Sequence, residues 1–468
     1  DEVADYNGVD RPQPRSLPQV QGDLKAVEEA TGIKPAIIYA IFNPSTVTTA
    51  DQVPQPALKV LGKAGQPNGA TPEVFWEFSE DPSFDPLLTS ETIAQAALPS
   101  VIKRQTLPTD ELELVVVTAN GTPIRVRVAG ANRSRVEQAA GLLRQEISDP
   151  SRTGNNRYLQ PSRLLYNWLI RPIETALEEN GIQNLVFVME AGLRSLPVAA
   201  LNDGERFLIE KYSAGMMPSL ALTDTRYRDI RTVDMLAMGA SKFSDQNDLP
   251  TVPVELEALG NIWKGQSYLN EDFTIANLTR NSDNFGIIHL ATHADFLPGN
   301  VSNSYIALSN ERISMSQLRE FGWQGSDPIT DPPVELLTLS ACKTAIGNAE
   351  AELGFAGLAV QAGVKTALAS LWYVSDAATT GLMTQFYEIL SDTEQAPFKA
   401  EALREAQLTF AQGKISVEGS VLRGIRGATR GSSESDLELP LNSIESLSDR
   451  ELSHPYYWAA FTLVGSPW

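Results

Sequence analysis

The chain has 468 residues, of which 42% are hydrophobic and 20% charged, as in ordinary globular proteins. At roughly 100–200 residues per domain, this length suits several domains or one large two-part domain. One cysteine and three histidines exclude an intrachain disulfide and zinc sites of the Cys₄ or Cys₂His₂ kind. The 37 basic and 58 acidic residues give a net charge of −21, which disfavours nucleic acid and anionic lipid as partners.

The first half of the chain alternates strands and helices after a proline-containing start. Residues 1–22 carry three prolines among polar residues and are predicted to form a flexible leader. The predicted elements that follow are a helix at Asp23–Thr31, strands at Pro35–Phe42, Glu111–Thr118 and Pro123–Ala129, helices at Ser134–Ile147 and Pro161–Glu179, and a strand at Asn184–Met189. The turn residues Ala119–Gly121 predict a hairpin between the second and third strands.

The second half repeats this alternation. Its predicted elements are strands at Met235–Met238, Gly286–Thr292, Glu335–Ala341 and Thr366–Leu371, and helices at Pro253–Trp263, Ala351–Ala362, Asp376–Leu390 and Pro397–Gln412. Strands that are apolar on both faces and alternate with helices predict an α/β sandwich around a largely parallel sheet. Gly413–Ser453 is rich in glycine, serine and charge, and is predicted to be a long surface loop or a segment that orders on binding.

Two strands of the second half run into side chains that are capable of catalysis. The strand at 286–292 leads to His293, and the strand at 335–341 leads to Cys342, 49 residues later. Reactive groups in open α/β sheets gather at the carboxyl ends of strands, and this separation suits one crossover between neighbouring parallel strands. A thiolate beside an imidazole that can take and return a proton is the machinery of peptide-bond cleavage.

Other interpretations of the same residues stay open. A lone cysteine after an apolar strand is more often a small core residue than a nucleophile. His289, four residues before His293, is expected to be a buried, hydrogen-bonded imidazole, and His454 a structural residue. The interpretation of His289 and His293 as metal ligands is weak, because a His-Glu-x-x-His motif and a third ligand are missing. Glycine-rich phosphate loops and the Gly-x-Ser-x-Gly elbow are also missing, so we expect no cofactor and no metal.

Several segments resemble the CHAT family of caspase-like cysteine peptidases, which in bacteria are often attached to tetratricopeptide repeats. The histidine and cysteine segments Ala291–Ala294 (ATHA) and Ser340–Thr344 (SACKT) carry the likeness first. Supporting segments are Gly354–Gly363, Ala369–Asp376, Met383–Leu390, Lys399–Gln407 and His454–Gly465 in the second half, and Leu164–Ile173, Leu185–Leu201 and Pro218–Ser219 in the first. The resemblance covers residues from about 30 to 468.

The resemblance implies a role for each matching residue. Cys342 would be the nucleophile and His293 the general base and acid, and the backbone N–H groups of Cys342 and Ala294 would form the oxyanion hole. Many members have glycine where this chain has Ala294, whose N–H can still donate. The resemblance also implies two caspase-like halves: a pseudo-peptidase subdomain at 23–233, which agrees with the lack of Cys and His before His289, and an active subdomain at 234–468.

Substrate preference is predicted from acidic residues near the dyad. Trp372–Asp376 resembles the segment that lines the primary pocket of caspase-like enzymes, so Trp372 and Asp376 are candidate pocket residues, with Asp376 receiving a P1 Arg or Lys. The N-cap of the helix that follows is the favoured interpretation of Asp376, since Asp precedes an Ala-Ala-Thr-Thr run. Asp295 is a second acidic candidate or a solvated residue. Arginines 423, 426 and 430 make Gly413–Ser453 either a self-cleavage segment or an ordinary loop.

We therefore expect a cysteine endopeptidase that acts on protein substrates, with Arg or Lys as the expected P1 residue. The competing hypothesis is a catalytically silent scaffold or signalling module that binds protein partners. The resemblance adds an upstream repeat region or a regulatory protein as an expected partner. The chain lacks a signal peptide and a stretch of about 18 apolar residues, and its single cysteine fits a reducing compartment, so we predict cytoplasmic localisation without membrane partners.

Overall fold

A computed structural model describes residues 5, 13–44, 106–281, 284–325, 334–344, 348–425, 436–443 and 450–468. Its helices are Leu17–Thr31 (α1), Arg133–Ile147 (α2), Leu159–Leu169 (α3), Glu174–Glu179 (α4), Val252–Ile262 (α5), Ile275–Asn281 (α6), Ala349–Ala356 (α7), Leu358–Ala362 (α8), Asp376–Ser391 (α9) and Lys399–Ala411 (α10). None of these helices is both long and apolar enough to cross a membrane.

The strands fall into one large sheet and one small one. The large sheet contains Pro35–Asn43 (β1), Glu111–Thr118 (β2), Ile124–Asn132 (β3), Asn184–Met189 (β4), Ser213–Met216 (β5), Met235–Gly239 (β6), Gly265–Leu269 (β7), Ile287–Phe296 (β8), Tyr305–Ala307 (β9), Arg312–Ser314 (β10), Leu336–Thr344 (β11), Thr366–Ser370 (β12) and Phe461–Gly465 (β17). The small sheet contains Ser416–Glu418 (β13), Val421–Arg423 (β14), Leu437–Glu438 (β15) and Arg450–Glu451 (β16).

The large sheet has 13 strands in the order β10-β9-β8-β11-β12-β17-β5-β4-β1-β2-β3, with β6 on β8 and β7 on β6. Parallel pairs link β7, β6, β8, β11 and β12, and also β17, β5, β4 and β1. The predicted β2–β3 hairpin ends the sheet on one side, and on the other side the antiparallel pair β9–β10 and the parallel strand β7 lie at the edge. Strands β4, β6 and β12 are shielded along almost their whole length, as strands are when helices cover both faces. The predicted α/β architecture around a largely parallel sheet is confirmed.

The strands of the first half occupy one end of the sheet and those of the second half the other. They meet where β17 pairs with β5 through Val464 and Met216. A buried ion pair also crosses between the halves: Arg144 on α2 lies 3.7 Å from Glu352 on α7, and Ser195 donates to the same carboxylate at 2.6 Å. Because the sheet is continuous, the division at 233/234 stays a prediction.

The predicted leader is too long at its C-terminal end, because residues 17–22 belong to α1. The backbone N–H of Ser16 donates to the Gln19 side chain at 2.8 Å, and Pro18 fits the first turn, where its missing N–H costs nothing. Val20 then begins the buried stripe that continues through Leu24 and Val27. The helix therefore starts six residues before the predicted position.

The composition of Gly413–Ser453 predicts a long loop, but the described residues of this segment build the small antiparallel sheet. Val417 and Leu422 are paired across β13 and β14, and both side chains are fully buried. Leu422 packs on α9 at Gly381, where an added Cβ would lie 2.6 Å from its Cδ2. Strands of two or three residues are too short to stand out from a glycine- and serine-rich background, which is why composition alone is misleading here.

Candidate active site

The two strands that carry His293 and Cys342 are neighbours in the sheet and run parallel. The Cα partner of His293 is Ala341, the residue before Cys342, and the partner of Cys342 is Ala294. The backbone thus brings the two predicted dyad positions to adjacent places on adjacent strands. Both strands are longer than predicted, and their pairing continues to Phe296 and Thr344.

His293 lies where β8 exchanges one neighbour for another. On the side away from β11, β6 pairs with β8 up to Ala291, and β9 pairs with it from Ala294 onward. His293 falls between these two contacts. Such a break in strand pairing is where α/β proteins place functional groups, since side chains from several segments can converge there.

The imidazole of His293 is held by a backbone carbonyl and two aromatic rings. Its Nε2 lies 2.7 Å from the carbonyl oxygen of Asn247, and the side chain is 9% exposed. The Phe243 ring centroid lies 4.7 Å away and that of Tyr373 6.2 Å away. A carbonyl oxygen can only accept, so Nε2 carries the proton and the lone pair of the neutral ring lies on Nδ1.

Phe243, Asn247 and Tyr373 are not predicted by the sequence. Asn247 contacts His293 through its backbone carbonyl, and any residue type could provide that group. The two aromatic residues lie far from His293 in the chain and resemble ordinary core residues there. Tyr373 could have been predicted from the sequence, because it lies next to the predicted pocket residue Trp372.

The other two histidines are structural, as expected. His289 is fully buried, with Nε2 2.8 Å from Glu255 Oε1 and Nδ1 3.3 Å from the Tyr387 hydroxyl. The Nδ1 of His454 accepts from the Tyr456 N–H at 3.1 Å, and burial lowers the pKa of His454 to about 4. Within the described part of the chain, no cluster of three or more His, Cys, Asp or Glu side chains is arranged to hold a metal ion.

Two of the three predicted pocket residues, Trp372 and Asp295, are hydrogen-bonded within the protein. Trp372 is 3% exposed and donates its indole N–H to the carbonyl of Tyr456 at 3.1 Å, so its side chain lies in the core. Asp295 is half-buried and accepts from the Tyr305 hydroxyl at 2.6 Å, so it is not simply solvated. Each of these side chains already has a partner within the protein.

Asp376 is not the N-cap of α9, which is one of its two predicted roles. Ser375 is the N-cap of α9, and its hydroxyl accepts from the Ala378 N–H at 3.2 Å. The Asp376 carboxylate instead accepts from the N–H of Thr251, at the start of α5, at 2.8 Å. Burial raises the pKa of Asp376 to about 6, against the opposing effect of the hydrogen bonds from Thr251.

The predicted oxyanion donor Ala294 lies inside the sheet, between Ile306 on β9 and Cys342 on β11. Its backbone therefore lies between two paired strands. Of the arginines in Gly413–Ser453, Arg423 lies in β14 and pairs with Glu418 at 3.1 Å and with Asp436. Residues 426 and 430 fall outside the described residues, so only Arg423 can be placed.

Several solved structures are remotely similar to this chain. A chain of the separase–securin complex of Saccharomyces cerevisiae is 14% identical, with a TM-score of 0.36, over 74% of this chain and 21% of that one. A chain of the complex of pro- and mature domains of Porphyromonas gingivalis RgpB is 9% identical, with a TM-score of 0.36, over 71% and 76%. The Arg-specific cysteine proteinase gingipain R is 10% identical, with a TM-score of 0.37, over 69% of each chain.

Sequence comparison is more decisive for the family. No protein of curated function matches the chain significantly. Residues 159–466, which include both predicted dyad positions, match the CHAT domain. This match begins in α3 and ends in the last residues after β17, so it takes in most of the sheet. The chain belongs to the CHAT domain family.

Proposed function

We propose that this chain is a cysteine endopeptidase in which Cys342 is the nucleophile and His293 the general base and acid. The pairing of β8 with β11 carries the proposal, because it brings the backbone of Cys342 beside His293. The chain has no other cysteine, so no other thiol can take this role. Membership of the CHAT family supports a peptidase-type site at this position.

In the first step, His293 takes the thiol proton and the thiolate attacks the scissile carbonyl carbon. The Asn247 carbonyl fixes the proton on Nε2, so Nδ1 is the atom that accepts the proton from Sγ. The same carbonyl stabilises the imidazolium that results, because both ring nitrogens then carry protons. The new C–S bond leaves a tetrahedral oxyanion, for which the N–H groups of Cys342 and Ala294 are the proposed donors.

Collapse of this intermediate breaks the C–N bond, and His293 gives its proton to the departing amine. A thioester to Cys342 remains. Water then attacks the thioester while His293 accepts one of its protons, and the thiol leaves with that proton as the carboxylic acid product forms. No metal or cofactor is required for these steps, and the protons balance within the dyad and water.

We assign the P1 preference to Asp376, with Asp295 as the second acidic candidate. A carboxylate near the dyad would hold a P1 Arg or Lys by a charge-assisted pair. Asp376 lies three residues after Tyr373, whose ring flanks His293, so its backbone belongs to the segment that borders His293, and its carboxylate would have to exchange the Thr251 N–H for a P1 side chain. Trp372, buried beneath this segment, would shape the pocket through the backbone rather than by touching substrate.

The surroundings of this activity are also proposals. We infer protein substrates, a cytoplasmic setting consistent with a single unpaired thiol, and control by an upstream repeat region or another protein partner. The half at 23–233 would act as a catalytically silent support, since its described strands complete the sheet without contributing a Cys or His.

One observation favours the alternative, a catalytically silent scaffold that binds protein partners. The β8–β11 pairing continues past both dyad positions, and Ala294 is flanked by strands on both sides. A silent protein would keep this closed pairing permanently. A peptidase would have to make the Ala294 N–H accessible when substrate or an activating partner binds, while keeping the β8–β11 register that places His293 beside Cys342.

A peptide-library cleavage profile tests the proposal, with Cys342→Ala and His293→Ala as matched variants. We expect cleavage by the wild-type protein that both variants lose, and a preference for Arg or Lys at P1 that Asp376→Asn weakens. An electrophilic thiol probe should label Cys342 near neutral pH in the folded wild-type protein. A folded protein that neither cleaves peptides nor reacts with the probe would favour the scaffold.

A further inference from the structure

A buried polar network lies four residues before the proposed dyad on both strands. His289 precedes His293 by four residues on β8, and Thr338 precedes Cys342 by four on β11. His289 and Thr338 are Cα partners, and both side chains are fully buried. Polar groups in such a place must be satisfied within the protein, so their partners are informative.

Tyr387 on α9 joins the two strands. Its hydroxyl oxygen lies 2.8 Å from Thr338 Oγ1 and 3.3 Å from His289 Nδ1. Glu255 on α5 completes the chain, with Oε1 2.8 Å from His289 Nε2. With Glu255 ionised and His289 neutral, the hydrogens run in one direction: the carboxylate accepts from His289 Nε2–H, Nδ1 then accepts from the Tyr387 hydroxyl, and Tyr387 accepts from Thr338.

The register between the two strands shifts directly after this pair. Leu290 is opposite Leu339, but the next partners are His293 and Ala341, so that two residues of β8 lie opposite Ser340 alone. The position of this extra residue decides where His293 stands relative to Cys342. If hydrogen bonds hold His289 opposite Thr338, the extra residue of β8 must lie between this pair and the dyad.

The segment that carries Glu255 holds β8 at a second point. Asn247 precedes α5 and binds His293 through its carbonyl, while Glu255 within α5 binds His289. Thr380 on α9 ties this segment down, with its Oγ1 2.7 Å from Thr251 Oγ1 and 3.2 Å from Glu255 Oε2. Both strand histidines therefore take their orientation from one anchored segment.

We propose that Tyr387, Thr338 and Glu255 are positioning residues that fix the register of β8 on β11 and so align His293 with Cys342; this inference rests on the proposed peptidase function. A well-packed apolar set would fill the same space without the cost of desolvating polar groups. The polar set adds directionality, because its hydrogen bonds are satisfied in one register of the two strands.

Alkylation of the thiol as a function of pH measures the alignment directly, since the chain has a single cysteine. Tyr387→Phe and Thr338→Val each remove one hydroxyl and keep the side-chain shape, while Thr338→Ser keeps the hydroxyl. Tyr166→Phe is the matched control, because Tyr166 is equally buried and donates to Glu174 at 2.6 Å in the other half of the chain.

We expect Tyr387→Phe and Thr338→Val to raise the midpoint of thiol alkylation by about one pH unit and to lower kcat about ten- to a hundredfold with KM nearly unchanged. Thr338→Ser should restore most of both properties. Tyr166→Phe should lower the urea midpoint of unfolding while leaving the alkylation midpoint in place.

Unchanged alkylation midpoints in folded Tyr387→Phe and Thr338→Val would overturn the inference, and so would an equal change in Tyr166→Phe. If Tyr387→Phe does not fold, the alkylation midpoints of Thr338→Val and Thr338→Ser test the inference, and equal midpoints would overturn it. A wild-type midpoint equal to that of His293→Ala would instead show that the dyad does not form, which overturns the peptidase proposal together with this one.

Discussion

Replacing Asp376 with asparagine should stabilise the protein at neutral pH. Burial is the largest influence on this carboxyl and raises its pKa from the ordinary value of 3.8 to about 6; the hydrogen bonds from Thr251 oppose the rise and the nearby Glu255 adds to it. An asparagine keeps the shape and an oxygen that can accept from the Thr251 N–H, which lies 2.8 Å from the carboxylate. The substitution therefore removes the buried charge and little else.

The expected gain follows from proton linkage. A pKa that is higher in the folded protein means that the folded state binds the proton more tightly than the unfolded chain. The stabilisation this provides is fully present below about pH 4 and is lost as the pH rises through about 6. A difference of about two pH units corresponds to about 3 kcal/mol, and partial exposure of the side chain reduces the expectation to about 1–3 kcal/mol.

Urea unfolding at about pH 4.5 and about pH 7.5 measures this difference. The free energy of unfolding of Asp376→Asn should exceed that of the wild type by about 1–3 kcal/mol at the higher pH. At the lower pH the two free energies of unfolding should be similar. Asp203→Asn is the control of opposite sign: burial opposes the shift, but hydrogen bonds from Lys211 and from backbone N–H groups hold the pKa of Asp203 well below its usual range. A variant at Asp376 that is less stable than the wild type at the higher pH would refute the reasoning.

The same variant connects stability with substrate preference. A protein that retains a buried acid at a cost in stability usually gains function from it. If Asp376 binds the P1 side chain, the stabilised Asp376→Asn protein should still cleave but should lose its preference for Arg and Lys. A stabilised variant with an unchanged cleavage profile would remove Asp376 from the pocket and leave Asp295 as the acidic candidate.

One packing prediction and one ion-pair prediction can be measured by the same unfolding assay. Gly381→Ala should cost about 1–3 kcal/mol because its Cβ would lie 2.6 Å from Leu422 Cδ2. Gly260→Ala is the control, because no atom lies within 4 Å of the new Cβ, and it should gain up to about 1 kcal/mol. A Gly381→Ala protein as stable as the Gly260→Ala protein would contradict the packing of the small sheet on α9. Glu352→Ala should cost about 3–5 kcal/mol because it leaves Arg144 charged, buried and without its ion-pair partner. A cost below about 1 kcal/mol would show that the two halves do not depend on this contact.

The strands of the sheet could be predicted from the sequence more accurately than their order in the sheet. The strand at Asn184–Met189 has the predicted bounds because its apolar run is bordered by polar residues, which is a local signal. The placement of β17 between β12 and β5 rests on pairing with strands far away in the chain, and short local patterns carry no record of it. The predicted helix at Pro161–Glu179 is two helices for a local reason, since Pro172 has no N–H to continue the ladder.

The candidate site divides in the same way between what residue type reveals and what only the fold supplies. His293 and Cys342 were identifiable because reactive side chains are rare in this chain and both follow buried strands. The groups proposed to align them are a carbonyl at Asn247 and hydroxyls at Thr338 and Tyr387, which are common groups in a sequence. The scarcity of thiol and imidazole thus identifies the candidate reacting groups, whereas we propose that ordinary groups in an unusual arrangement determine whether those groups meet. Activity should therefore be sensitive to conservative changes such as Tyr387→Phe that leave both proposed reacting residues intact.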